Sequence, residues 1–348
     1  MINGVKIENF RCFSSLHIDS LQQFNVIVGD SASGKTALLE AVFLAMGASP
    51  ELAFRFRTQR GFPQQFQGPT KSIERTVFED LFHSGSRQEQ LSVELTGSGP
   101  ECRRVEASFG HKTDLMSFDG GEAAEAITSQ NVKFSWRAAN GDMKTAAVVV
   151  RNDGIQFHDT QEILPDFYYF FAGNQGIAAE NADRYSNLSK NRRGDEFISV
   201  MQKEFPWIRD ISIEVNGGSA ILYADIEGMA NKVPLNSISS GVNKLTDYLL
   251  ALLICNKSVV LIDEIENGLY YQRYESYWRC ICDVAHRRGN QVFVSTHSRE
   301  MLEAIARANQ YMGSLSLIRM LKKGASSQFE KFDGADFQAA IDFHEEIR

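Results

Sequence analysis

Three short stretches of this 348-residue chain have residue types and spacings suited to phosphate chemistry. The first is Gly29-Asp30-Ser31-Ala32-Ser33-Gly34-Lys35-Thr36, which fits the pattern G-x-x-x-x-G-K-[ST]. In such a loop, backbone N–H groups and the positive end of the following helix surround a di- or triphosphate. Gly29 and Gly34 permit backbone angles and close approach that a Cβ forbids. Lys35 supplies a point charge to the terminal phosphates, and the Thr36 hydroxyl can ligate Mg²⁺. The second stretch, Ser258-Val-Val-Leu-Ile-Asp-Glu, is an apolar run ending in two carboxylates. Asp263 suits a Mg²⁺ shell, and Glu264 suits a base that orients water toward a γ-phosphate. The third, Gln291-Val-Phe-Val-Ser-Thr-His-Ser, is another apolar run with a polar end, where His297 can donate to a phosphate.

A fourth place is weaker. Ser239-Ser240-Gly241 opens an apolar helix, and small residues there leave N–H donors and the positive dipole end facing outward. Ordinary N-capping explains the same residues. Arg11 lies at a strand end that could fold back toward the phosphate loop, although a solvated turn arginine accounts for it as well. Gln175 follows the aromatic run Phe167 to Phe171, where the chain crosses between lobes; a loop amide without a ligand fits equally.

Elements that would position these residues are legible from periodicity. Phe24 to Val28 reads as a strand, followed by a helix with Leu38, Leu39 and Val42 on one face. Residues 2 to 9 and Leu16, Ile18 alternate as strands. Helical patterns cover Ser72 to Phe82, residues 177 to 205 and the stretch with Tyr274, Tyr277, Trp278 and Ile281. From 90 to 170, short alternating runs broken by Asn140-Gly141 and Asn152-Asp153-Gly154 describe an antiparallel meander. Ile211 to Val215 and Ala220 to Ile226 form a hairpin through Asn216-Gly217-Gly218, and the chain closes with a strand from Leu315 and a helix from about Gly334. Phe54, Phe56, Phe62 and Phe66 beside Arg55, Arg57 and Arg60 suit a partner surface. A helix with its Phe face inward explains them too.

With 43% hydrophobic residues the chain can bury a large core. Its longest apolar run, Tyr248 to Cys255, is too short to cross a bilayer, and no secretory pattern opens the sequence, so a cytoplasmic location without membrane contact is expected. Five scattered cysteines without zinc-ligand spacing agree with a reducing compartment. A net charge of −8 argues against nonspecific nucleic-acid binding over the whole surface, leaving a local basic face open.

Taken in order, Gly29 to Thr36, Ser239-Ser240-Gly241, Val260-Leu-Ile-Asp-Glu-Ile-Glu-Asn-Gly-Leu and Ser295-Thr-His-Ser resemble the phosphate loop, signature, Walker B with D-loop, and switch histidine of ABC-type ATPases. Ile7-Glu-Asn-Phe-Arg-Cys-Phe resembles the SMC/RecF/OLD branch. The resemblance implies an α/β P-loop NTPase fold of the ABC/SMC-head type: a mainly parallel sheet flanked by helices, with an antiparallel β lobe and a helical lobe. Residues 1–348 then form one ATPase domain, with N-terminal strands and phosphate loop in 1–50, the β lobe in 90–170, helices and hairpin in 171–235, and the signature, Walker B and switch histidine in 236–348. It further implies ATP and Mg²⁺ as cofactors, nucleotide contacts from Gly29 through Ala37 and from Arg11, and metal contacts from Thr36, Asp263 and Gln175. Lys35, Glu264 and His297 would be catalytic. Two copies would sandwich two nucleotides, with Ser239, Ser240 and Gly241 of one facing the γ-phosphate held by the other.

Departures from the family pattern are Asp30-Ser31 in the loop, the short signature, and Tyr270 where relatives often carry histidine; they bear on hydrolysis rate rather than fold. Three functions follow: an ATP-driven homodimeric switch, or a higher oligomer, that controls a separate nuclease or toxin in antiphage defence; a RecF-like repair ATPase that clamps DNA; and a nonhydrolysing ATP-gated scaffold.

Overall fold

Val26, Ile27, Val28, Val259, Val260, Leu261, Ile262, Val292, Phe293 and Val294 are all buried, and being β-branched or bulky they favour adjacent strands with helices on both faces. The computed structural model describes residues 1–47, 49–59, 78–85, 89–99, 103–109, 130–151, 154–158, 167–172, 178–308, 311–323 and 326–342. The chain divides into two compact units, Met1–Leu21 with Asp30–Pro165 and Met320–Glu330, and Gln22–Gly29 with Asp166–Arg319 and Lys331–Arg348.

The first unit carries an antiparallel sheet in the order β2-β1-β4-β5-β6-β7-β8. Its strands are β1 (Ile2–Phe10), β2 (Phe13–Ile18), β4 (Leu91–Gly97), β5 (Arg103–Phe109), β6 (Gln130–Ala138), β7 (Met143–Arg151) and β8 (Gly154–His158). The meander expected from alternation is present, and β1 and β2 extend it. Helix α1 (Lys35–Met46) lies in this unit, buried along nearly its whole length rather than on one face. Its last carbonyls receive side-chain donors: Trp136 Nε1 reaches Leu44 O at 3.1 Å and Arg103 Nη1 reaches Met46 O at 3.1 Å. Helix α2 (Glu51–Gln59) follows, with Phe56 inside against Phe43 (centroids 5.9 Å). The helix expected over 72–82 lies mostly outside the described residues; Glu79–Leu81 is a single 3₁₀ turn.

The second unit carries the parallel strands β3 (Phe24–Gly29), β14 (Gln291–Ser295), β13 (Val259–Ile262) and β9 (Phe167–Phe170), side by side in that order. Beyond β3 the sheet continues through β15 (Leu315–Lys323) to β16 (Ser326–Asp333). The aromatic run 167–170 therefore belongs to the parallel sheet and does not close the antiparallel meander; Phe170 meets Tyr248 edge-on at 5.0 Å. Around the sheet and a small sheet of β10 (Ile208–Asn216), β11 (Ser219–Ile226) and β12 (Val233–Pro234) stand α3 (Ala178–Lys190), α4 (Gly194–Glu204), α5 (Ser240–Ile254), α6 (Tyr274–Arg288), α7 (Arg299–Ala308) and α8 (Gly334–Asp342). Leu249, Leu250, Leu252 and Leu253 on α5 belong to the same core as Val260 and Ile262, each such side chain stabilising the fold by about 1.5–3 kcal/mol. At the opposite end of the strands from the candidate site, fully buried Asn290 accepts from Ser258 N and Oγ (3.1 Å each) and donates to Leu252 O at 2.7 Å.

Candidate functional site

The phosphate loop joins β3 to α1. Gly29 has φ 136 and Gly34 φ 110, angles a side chain would strain, and Ala32 is also left-handed at φ 60. A Cβ on Gly34 would meet Cys12 Sγ and Phe13 Cζ, both at 2.9 Å. Ser33 N donates to Asp30 O (3.2 Å), and Lys35 Nζ donates to the same carbonyl (2.8 Å). Asp30, Ser31 and Ala32 are exposed, while Lys35 is buried at 5% exposure. No side chain caps the start of α1, a helix end whose positive dipole favours an anion. Ser33 Oγ is buried without a hydrogen-bond partner. An uncapped helix start, a left-handed glycine and an orphaned hydroxyl fit a phosphate group.

Parallel pairing brings three strand ends together: Ser295 lies opposite Ile27, and Val294 opposite Ile262. Gly29, Asp263-Glu264 and Ser295-Thr296-His297 thus share the carboxyl edge of β3, β13 and β14, the edge where ligands bind in open α/β sheets. Ser295, fully buried, links the two carboxylate positions: its Oγ donates to Asp263 Oδ1 at 2.5 Å and accepts the Glu264 N–H at 2.8 Å. Asp263 is 5% exposed, so its charge stays on the carboxylate only with donors or a cation nearby. Glu264 turns the chain with φ 51, and Asn267 Nδ2 donates to its Oε2 at 2.5 Å. His297 is exposed, and its main-chain N–H donates to Glu266 Oε1 at 2.7 Å. Among the described residues no cluster of three His, Cys, Asp or Glu could hold a metal alone. Mg²⁺ keeps waters and phosphate oxygens and needs only one or two protein oxygens, of the kind the Asp263 carboxylate offers at this edge.

Ser239 is the N-cap of α5, accepting the Val242 N–H on its Oγ at 3.2 Å. Ser240 Oγ donates to Gly268 O at 2.7 Å, tying the helix start to the turn that follows Glu264. Ser239 and Ser240 are exposed, whereas Gly241 is buried, and a Cβ there would stand 3.1 Å from Tyr277 OH.

Arg11 is left-handed at φ 50, and its guanidinium is engaged within the first unit: Nε stands 2.6 Å from Glu40 Oε2 and Nη1 3.1 Å from Asp80 Oδ2. Glu40, 1% exposed on α1, requires such a counter-charge. Its Nη2 is buried without a hydrogen-bond partner among the described residues. Gln175 lies outside the described residues. The sequence placed Ser295, Glu266 and Asn267 inside the motifs but gave them no role of their own, because a serine ending a strand and polar residues in a turn carry no periodic signal. Cys280 and Cys282 are buried on α6, where burial pushes both thiols up from their ordinary value.

A family model described as an AAA domain matches residues 5–198, more than half of the chain, and another described as an AAA domain, putative AbiEii toxin, Type IV TA system, matches residues 137–303. The chain is 23% identical over 331 residues to an ATP/GTP phosphatase of Helicobacter pylori, covering 88% of this chain and 87% of that protein. It is 50% identical over 133 residues, 37% of this chain and 12% of the longer protein, to a DNA double-strand break repair Rad50 ATPase of Methanopyrus kandleri. Over 43 residues, 12% of each chain, it is 44% identical to the DNA replication and repair protein RecF of Oenococcus oeni. Among solved structures, an Smc head bound to the C-winged helix domain of ScpA shares the fold at TM-score 0.51 and 14% identity, over 95% of this chain and 98% of that one. The phosphate loop, the paired carboxylates and these matches agree: the chain belongs to the AAA-domain family, as an ABC-type ATPase of the SMC/RecF/OLD branch.

Proposed function

We propose that this ATPase binds ATP with Mg²⁺, dimerises around two nucleotides, hydrolyses them slowly and passes its state to a separate effector, a nuclease or toxin, in antiphage defence. Gly29 through Ala37 cradle the phosphates, Lys35 balances their charge, and Thr36 and Asp263 hold the metal, with Gln175 as a further candidate. Bound Mg²⁺ would neutralise charge developing on the phosphate oxygens. Glu264 orients the attacking water and His297 donates to the γ-phosphate. Ser239, Ser240 and Gly241 of the second copy close the site.

The observation that supports this reading most is the linkage of Asp263 to Glu264 through Ser295 at the carboxyl edge beside Gly29, which fixes the two carboxylates relative to each other. The effector role draws on the family description naming a putative toxin of a toxin–antitoxin system. Glu264→Gln keeps the shape of the site but removes the base, so turnover is expected to fall about 10²-fold or more. ATP-dependent dimers of this variant should outlive those of the parent in size-exclusion chromatography. Dimers of unchanged lifetime would remove Glu264 from the role of base.

A second reading rests on the names of the Rad50 and RecF relatives. As a DNA clamp the chain would bind duplex with an affinity falling steeply in salt and would hydrolyse faster on DNA. Binding without that dependence, or turnover indifferent to DNA, rejects the clamp.

A further inference from the structure

We propose that Glu266 is a positioning residue for His297, holding the main chain of the proposed phosphate donor in place at the sheet edge; this rests on the reading of His297 above. The observation behind it is the 2.7 Å hydrogen bond from the His297 N–H to Glu266 Oε1.

Regular pairing of β13 with β14 ends at Ile262 and Val294. Beyond that point the two segments stay together through four further bonds: Ser295 Oγ to Asp263 Oδ1, Glu264 N to Ser295 Oγ, Ile265 N to Ser295 O (3.0 Å), and His297 N to Glu266 Oε1. Glu266 therefore does with a side chain what a strand carbonyl does within a ladder. The turn that carries it is closely specified. Asn267 N donates to Glu264 O at 2.9 Å, Leu269 N donates to Glu266 O at 3.1 Å, and Gly268 is left-handed at φ 76.

Glu266 takes the main-chain donor that the local bonds of this segment leave over. The neighbours of His297 are already held, since Thr296 N donates to Ile27 O (3.1 Å), Ser298 N to Thr296 Oγ1 (3.0 Å) and Met301 N to Ser298 Oγ (3.1 Å). An amide would take the one remaining N–H as well. The imidazole of the exposed His297 projects from a backbone fixed on both sides, so its reach toward a phosphate is set by its own rotamer alone.

The test compares Glu266→Gln, Glu266→Ala, His297→Ala and the Glu266→Ala/His297→Ala double variant for kcat and KM with ATP, each after confirming a parent-like thermal transition. Glu266→Gln, whose amide oxygen accepts the same N–H, should stay within about threefold of the parent, while Glu266→Ala should lower kcat about tenfold or more at unchanged KM. On the His297→Ala background the Glu266→Ala change should add less than about twofold, as expected for residues acting as a unit. Effects that multiply, a change confined to KM, or Glu266→Ala turning over at the parent rate would overturn the inference. Should Glu266→Ala not fold, Glu266→Met, of similar length without an acceptor, takes its place. If His297→Ala turns over normally, the role of His297 itself fails and takes the inference with it; loss in His297→Ala but not in Glu266→Ala fells the inference alone. A readout independent of turnover is the His297 amide proton resonance. It should lie downfield in the parent and Glu266→Gln and move upfield in Glu266→Ala; an unmoved resonance overturns the proposal.

Discussion

One serine hydroxyl, that of Ser295, both donates to Asp263 and accepts from the main chain of Glu264. Ser295→Ala would leave a buried carboxylate oxygen and a backbone N–H short of partners, and it should destabilise the fold by about 1–3 kcal/mol, read as a lower denaturant midpoint. Lys244 offers a pH signature. It is buried on α5, and burial, partly offset by Asp247, lowers its pKa from the ordinary lysine value. The folded chain then holds this proton less tightly than the unfolded chain. The resulting destabilisation is fully present below the folded value and is relieved as pH rises through it toward 10.5. Difference unfolding curves between the parent and Lys244→Met should show that alkaline rise in the parent only. At this scale the sequence was legible where residue type and spacing are tied to chemistry, as in Gly34-Lys35-Thr36 and Asp263-Glu264. It raised Arg11 but not its pairing with Glu40, which lies on a helix that reads as amphipathic but is buried nearly all round.

Strand β13 and strand β14 declared themselves as apolar runs with polar ends, and the meander by alternation with Asn-Gly turns. Several elements escaped, two strands among them. Strand β9 consists of four aromatic residues without alternation, and its place in the parallel sheet is set by pairing with β13, nearly a hundred residues away. Strand β16, Ser-Ser-Gln-Phe-Glu-Lys-Phe-Asp, is mostly polar and takes its form from pairing with β15. Elements whose conformation depends on a distant neighbour leave little mark in local pattern. Asn290 shows the same dependence, joining the end of α5, the start of β13 and the approach to β14 in one buried knot. Asn290→Ala strands the Leu252 carbonyl and the Ser258 N–H together, and an unfolding free energy lower by about 2–5 kcal/mol is expected from chemical denaturation.

As a whole the chain carries a net charge of −8, and two copies brought together repel. Their ATP-dependent association should therefore tighten as salt is raised from low ionic strength, as screening weakens that repulsion. Sedimentation equilibrium across a salt series measures this, and the trend is opposite in sign to duplex binding. The hydrogen bond from Ser240 to Gly268 bears on how such a pair would meet. A hydroxyl has a single proton, and here it is already given away inside its own subunit, so toward an arriving anion it presents lone pairs. First contact with a neighbour's triphosphate would then fall to the main-chain amides at the head of α5, and the serine could join only after one bond rotates and the Gly268 carbonyl is released to water. Encounter and engagement at this seam would be separate events, the second gated by a serine torsion at the head of α5, held against the turn that follows Glu264.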